Sequence, residues 1–142
     1  MPGASRPPER FIPEYDVNDY RILLCKPDHR RLSGVLDAMK ANRRPLSPHL
    51  RRLEAELRAA EVVDSAEGRS VGIGGSASLR DEDSGEEFTV RLVFPAELDG
   101  TSATASVVSP LGVALLGERV GASVLCDSPS GSRRFTILAI GA

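Results

Sequence analysis

Ser106 to Val124 reads SVVSPLGVALLGERVGASV, and how this stretch is parsed decides what kind of fold the chain can adopt. Ser106 to Val108 is short and β-branched, a strand end. Ser109 followed by Pro110 then opens a helix, because a serine oxygen accepts a bond from an orphan N–H and proline fits the first helical position. Leu111, Leu115 and Leu116 fall on one face, and Ala114 helps to fill it. Gly117 ends the helix, since glycine adopts the left-handed terminal conformation at least cost. From Val120 to Cys126 the pattern is extended again. A short leucine-faced helix between strands is a packing unit first. Its Ser109-Pro110 cap needs no further reading than that, unless it is also a recognition surface.

The strands around this unit follow from period and punctuation. Downstream, Asp127 to Ser132 (DSPSGS) is a turn, and Arg134 to Ile140 is a strand. Upstream, Phe88 to Phe94 (FTVRLVF) alternates, and Asp81 to Glu87 (DEDSGEE) is an acidic turn before it. Val71, Ile73 and Leu79 form the partner strand, with a bulge or kink at Gly74-Gly75. Pro95 to Ser102 is a loop, and Thr104 to Val108 is a strand. The expected body, residues 70–142, is α+β: about five strands in an antiparallel sheet wrapped on one short helix.

Residues 15–63 carry a helical period instead. Val17 to Cys25 is helix-compatible. Past Pro27, Leu32, Val35, Leu36 and Met39 recur at i, i+3, i+4, i+7. Asn42 to Ser47 is a turn, because Pro45 cannot continue a helix. Ser47-Pro48 repeats the device seen at Ser109-Pro110, and Leu50, Leu53, Leu57 and Ala60 form a narrow seam behind it. The reading is an antiparallel helical hairpin, a short coiled coil whose second helix is only ~20 Å long at 1.5 Å per residue. Three of the first eight residues are proline, so residues 1–14 are expected to be a disordered leader.

Charge divides the chain at the same place. Residues 1–60 hold 12 Lys+Arg against 8 Asp+Glu, and residues 61–142 hold 6 against 12. A basic head on an acidic body marks a boundary near residue 61. The arginine pairs 30–31, 43–44 and 51–52 would attract phosphate or an acidic protein surface, and a solvated helix face accounts for them equally well. No aromatic residue interleaves with them, so base stacking has no support. No apolar run approaches a membrane span and the N-terminus lacks a signal-peptide core, so a cytoplasmic protein is expected.

The residues offer little for catalysis. His29 and His49 sit beside arginines, with no cysteine or carboxylate set at metal-ligand spacing. Cys25 and His29 lack an orienting third group, so they do not make a nucleophile pair. Cys25 and Cys126 show no CxxC spacing and read as free thiols in a reducing compartment. VGIGGS at 71–76 is too sparse for a phosphate loop, and the acidic run 81–87 lacks calcium-loop spacing. No catalytic residue, metal or cofactor is expected.

Five short blocks in order carry a resemblance. They are Gly75-Ser76 with Leu79 and Asp81; Gly85-Glu86-Glu87; Leu92-Val93 with Pro95, Glu97 and Asp99; Ser109 to Gly117; and Pro129 with Gly131. Together they resemble the Gre-type transcription factors, whose C-terminal domain is FKBP-like. Asp19 to Pro27 and Glu56 to Val63 are similar to the Rnk branch, the regulators of nucleoside diphosphate kinase. The resemblance implies a monomer that binds RNA polymerase at its secondary channel, with the sheet domain at the rim and the hairpin pointing inward. Nucleic acid would then be near the protein without being held by it.

In the family the rim contact uses the Ser-Pro cap, so it carries over to Ser109, Pro110 and Leu111. Val108 stands where relatives carry an acidic residue. Transcript cleavage needs tip carboxylates to hold a second Mg²⁺, because a hard dication takes oxygen ligands. The tip here, Asn42 to His49, offers Arg43, Arg44, Leu46 and His49 but no Asp or Glu. The expectation is a non-enzymatic, polymerase-binding regulator. The alternatives are a cleavage factor drawing its ligand from elsewhere, such as Asp37, and a binding module for an unrelated protein.

Overall fold

The computed structural model describes residues 21–42, 45–100, 103–128 and 131–141. The chain runs β1 (Leu23–Cys25), α1 (Lys26–Ala41), α2 (Pro48–Ala59), β2 (Glu61–Val63), β3 (Ser76–Asp81), β4 (Glu87–Val93), a 3₁₀ turn (Pro95–Glu97), β5 (Thr104–Ser106), α3 (Pro110–Leu115), β6 (Ser123–Ser128) and β7 (Gly131–Gly141). The expected leader, residues 1–14, lies outside the described residues.

The fold is α+β, with one correction to the expected sheet. Five strands lie in the order β5-β4-β3-β7-β6, and β5 runs parallel to β4. The sheet is therefore mixed, not antiparallel. The cause is the connection: the chain leaves β4 through the Pro95–Glu97 turn and doubles back before β5, so β5 re-enters in the same direction. The break expected at Gly74-Gly75 is a turn, with Gly74 at φ 85° and Gly75 N–H bonded to the Gly72 carbonyl (3.0 Å). Strand β3 therefore starts only at Ser76, with Val71 and Ile73 before it, and a further register shift against β7 falls between Ser78 and Leu79.

A second correction concerns the segment before Pro27. Residues 17–20 lie outside the described residues, but Leu23–Cys25 is strand, not helix. It pairs in parallel with Glu61–Val63 as a separate two-stranded sheet. Leu23 and Leu24 are fully buried, and Leu23 also bonds to the body through its N–H to the Gly117 carbonyl (3.0 Å) and its carbonyl to Ser70 Oγ (2.6 Å). Three apolar residues with partners on both sides gain more as strand than a helix turn ending at a proline would give them.

The periodic leucines of both N-terminal helices face the body. Leu32 and Leu36 of α1 and Leu53 and Leu57 of α2 share one apolar cluster with Leu79, Leu92, Val113, Leu115, Leu116 and Ile137. Burying a leucine contributes about 1.5–3 kcal/mol, so this shared cluster fixes α1 and α2 on the sheet. The two helices also meet each other, His29 Nε2 donating to the Leu57 carbonyl (2.8 Å) and Lys40 pairing with Glu54. On the outer face of α1, Gly34 is exposed and a Cβ there would touch nothing. Gly34→Ala is expected to raise stability by about 1 kcal/mol, read as a shift in the urea midpoint.

Candidate functional site: the α3 cap and the start of α2

The cap of α3 is built as its sequence implies. Ser109 is extended (φ −83°, ψ 162°), and its Oγ accepts from the Gly112 N–H at 3.1 Å. The same hydroxyl donates to the Ser106 carbonyl at 2.7 Å, and Val108 N–H donates to Ser106 Oγ at 3.2 Å. Pro110 follows as the first helical residue. These bonds make residues 106–112 a closed turn with little freedom. Gly112 is the reason it can close: a Cβ there would lie 1.9 Å from the Ser106 carbonyl oxygen.

Helix α3 sinks into the core. Val113, Ala114, Leu115 and Leu116 are each at most 1 % exposed, whereas Leu111 is half-buried. Leu111 instead borders a cleft of about 300 Å³ whose other walls include Phe135, Cys126, Asp83 and Arg133. Phe135 packs edge-to-face on Phe88, ring centres 5.8 Å apart. Burial pushes the Cys126 thiol up, Asp127 adds to the rise, and Arg52 opposes it. Arg133 is held by the buried Asp81. Burial works against ionisation of Asp81, but N–H bonds from Asp83 and Ser84 and the Arg133 guanidinium outweigh it and keep the carboxyl below its ordinary range.

The tip residues arrive at the same place, which their sequence positions do not suggest. His49 Nε2 donates to the Val108 carbonyl at 2.9 Å, immediately before the Ser109 cap. Ser47 makes no cap bond to α2; its hydroxyl lies 3.1 Å from His49 Nδ1 instead. The repeated Ser-Pro device is thus a cap at Ser109 and a histidine support at Ser47. Leu46 is half-buried, and its carbonyl accepts from Arg51 (3.4 Å). Further along α2, Arg52 Nη1 donates to the Leu125 carbonyl on β6 (3.0 Å). The second helix therefore lies along the body over its length and does not project as a free arm. Arg43 and Arg44 lie outside the described residues.

Behind this contact, sequence reading missed a pair of acids. Glu118 is raised from the ordinary 4.5 to about 7, by burial first and then by Glu56, with Arg52 and Arg119 opposing. Glu56 is also raised by burial, with Arg52 working against it. Its Oε1 is buried without a hydrogen-bond partner among the described residues, while Oε2 pairs with Arg52 at 3.4 Å. Among the described residues, no group of three or more His, Cys, Asp or Glu is placed to hold a metal ion.

A mixed five-stranded sheet around a serine-capped, glycine-stopped helix, preceded by two helices, is an arrangement similar to that of a prokaryotic transcription elongation factor of known structure. Residues 66–142 match the family described as "Transcription elongation factor, GreA/GreB, C-term". The chain is 36 % identical over 107 residues to the transcription inhibitor protein Gfh1 of Thermus thermophilus, covering 74 % of this chain and 69 % of that one. It is 34 % identical over 105 residues to the transcription elongation factor GreA of Thermotoga neapolitana, covering 73 % and 67 %. Among solved structures, the prokaryotic transcription elongation factor GreA/GreB from Nitrosomonas europaea superposes with a TM-score of 0.69 at 33 % identity, over 86 % of this chain and 98 % of that one. This chain belongs to the GreA/GreB family of transcription elongation factors.

Proposed function

We propose that this protein is a regulator that binds RNA polymerase at the rim of the secondary channel and does not stimulate transcript cleavage. The observation that carries the reading is the turn between α1 and α2. Asn42 to His49 contains no Asp or Glu, so it has no carboxylate to offer a catalytic Mg²⁺. The position of α2 supports it, since a helix bonded to the body through His49 and Arg52 is poorly placed to reach a distant active site. Ser109, Pro110 and Leu111 are the docking residues in this reading. The helix pair is a shortened form of the family's hairpin, and the sheet is its FKBP-like domain. The protein is not itself an enzyme, acts as a cytoplasmic monomer, and belongs to the Rnk branch through Asp19–Pro27 and Glu56–Val63. Both a transcription inhibitor and a transcription elongation factor are among the relatives.

Immobilised core RNA polymerase should retain the protein at low salt, and retention should fall as salt rises. Added to stalled elongation complexes, the protein should release no short 3′ RNA fragments and should reduce release by an added cleavage factor. Robust fragment release by this protein alone would instead make it a cleavage factor. If polymerase does not retain it, the body serves an unrelated partner.

A further inference from the structure

Between the start of α1 and the turn at Gly72–Gly75 lies a half-open cavity of about 360 Å³, with no wall contributed by α3. That size falls within the range of small-molecule pockets, roughly 300–1,000 Å³. We infer that this cavity binds a compact organic cation, an ammonium group carried on a short apolar body. Nothing in this depends on polymerase, so the free protein suffices to test it.

The cavity is preformed, and glycine is what lets its walls meet. A Cβ on Gly72 would lie 3.1 Å from Asp28 Oδ2, and a Cβ on Gly75 would lie 3.1 Å from the Gly141 carbonyl oxygen. A side chain at either position would push the turn off its neighbours. Asp28 Oδ2 accepts from the Ile73 N–H at 3.0 Å, which ties the first turn of α1 to the glycine turn. Ser70, itself buried, donates to the Leu23 carbonyl and fixes residues 64–70 against β1. A ligand entering here finds a shape already paid for in folding.

The lining selects the sign of the ligand's charge. Every charged side chain in the walls is a carboxylate: Asp28, Asp64 and Glu67. Lys26 pairs with Asp64 at 3.0 Å from outside the walls, but both side chains are largely exposed, so water screens the pair. An anion, a nucleotide or free phosphate included, would meet three like charges in a space partly shielded from water, where charge interactions strengthen.

The rest of the lining selects the ligand's body. Leu24 and Ala66 are buried and Ile73 is half-buried, so part of the wall is apolar. A bare metal ion would leave that surface wet. Among the described residues, no group of three or more His, Cys, Asp or Glu is placed to hold one. An ammonium beside Asp64 and Glu67, with its hydrocarbon on Leu24 and Ile73, satisfies both parts of the wall.

Cys25 supplies a reporter, because its half-buried thiol lines the cavity while Cys126, the other thiol, is buried elsewhere. Alkylation of Cys25 by iodoacetamide, followed by mass spectrometry, is compared in the presence of millimolar tryptamine, tryptophol or indole-3-acetate. These three share one apolar body and are cationic, neutral and anionic. Tryptamine is expected to slow labelling about tenfold, tryptophol much less, and indole-3-acetate not at all. Glu67→Lys, a change at an exposed position, should reduce the protection by tryptamine to that of tryptophol. The melting temperature should rise in the same order, since a ligand held only by the folded chain stabilises it. Equal protection by all three compounds would show a cavity blind to charge and overturn the assignment. So would undiminished protection of Glu67→Lys by tryptamine, or no effect of any compound on labelling and melting.

Discussion

Replacing Gly112 by alanine is expected to cost about 3 kcal/mol or more, lowering the melting temperature by roughly 10 °C. The added Cβ would lie 1.9 Å from the Ser106 carbonyl oxygen, 2.8 Å from its carbon and 2.9 Å from the Val107 Cα. All three are backbone atoms, so no side chain can swing aside. To make room, the turn must open, and opening it breaks the Ser109 Oγ bonds to Gly112 N–H and the Ser106 carbonyl. It also pulls on Val108, whose carbonyl holds His49. Damage should therefore reach α2 as well as α3. Thermal unfolding followed by circular dichroism checks this, with Gly34→Ala as the contrasting case where the same chemical change meets open space. A melting temperature within about 2 °C of wild type would show that the turn yields more easily than its bonds imply.

The second large effect is a pH dependence centred on Glu118. Its folded value of about 7 lies above the ordinary 4.5, so between those limits the folded chain binds a proton that the unfolded chain has released. Stability from this group is fully present below about pH 4.5 and declines as pH rises toward 7. At about 1.4 kcal/mol per pK unit, ionised Glu118 costs on the order of 2 to 3 kcal/mol at pH 8. The groups facing it are Glu56, which raises it further, and Arg52 and Arg119, which oppose. Glu56 is itself raised, so its contribution has the same sign. Glu118→Gln should be more stable than wild type at pH 8 by about 2 kcal/mol and nearly equal to it at pH 5. Urea unfolding at the two pH values measures this, and parallel profiles for the two proteins would sink the assignment.

What could be read from the sequence, and what could not, separates along local and distant interactions. The α3 unit was legible because its cap, proline and stop all lie within nine residues and interact with each other. The same holds for the leucine period of α1 and α2 and for the β3–β4 pair around its acidic turn. Leu23 to Cys25 was misread because a three-residue apolar run fits either period. Its partner strand lies 38 residues on, at Glu61. The direction of β5 depends on how a ten-residue connection folds, which no pattern within β5 records. Serine at position 47 showed the limit of a local rule, since a cap signature without a cap bond was serving His49. His49 bonding Val108 and Glu118 feeling the charge of Glu56 link residues that lie far apart in sequence. The only sequence hint of either was that both helices open with Ser-Pro.

One bond has a consequence for the protein in a crowded cell. Strands β5 and β6 are the two ends of the five-stranded sheet, and β6 presents Leu125, which is 38 % exposed. An end strand with unpaired backbone groups and an apolar side chain is a template on which another extended chain can grow. Arg52 occupies the Leu125 carbonyl from the side of α2, placing a cation and a helix beside that end. A strand arriving there must first displace an arginine and meet a positive charge. The N-terminal helices are thus also the guard that keeps this sheet from recruiting strands from its neighbours.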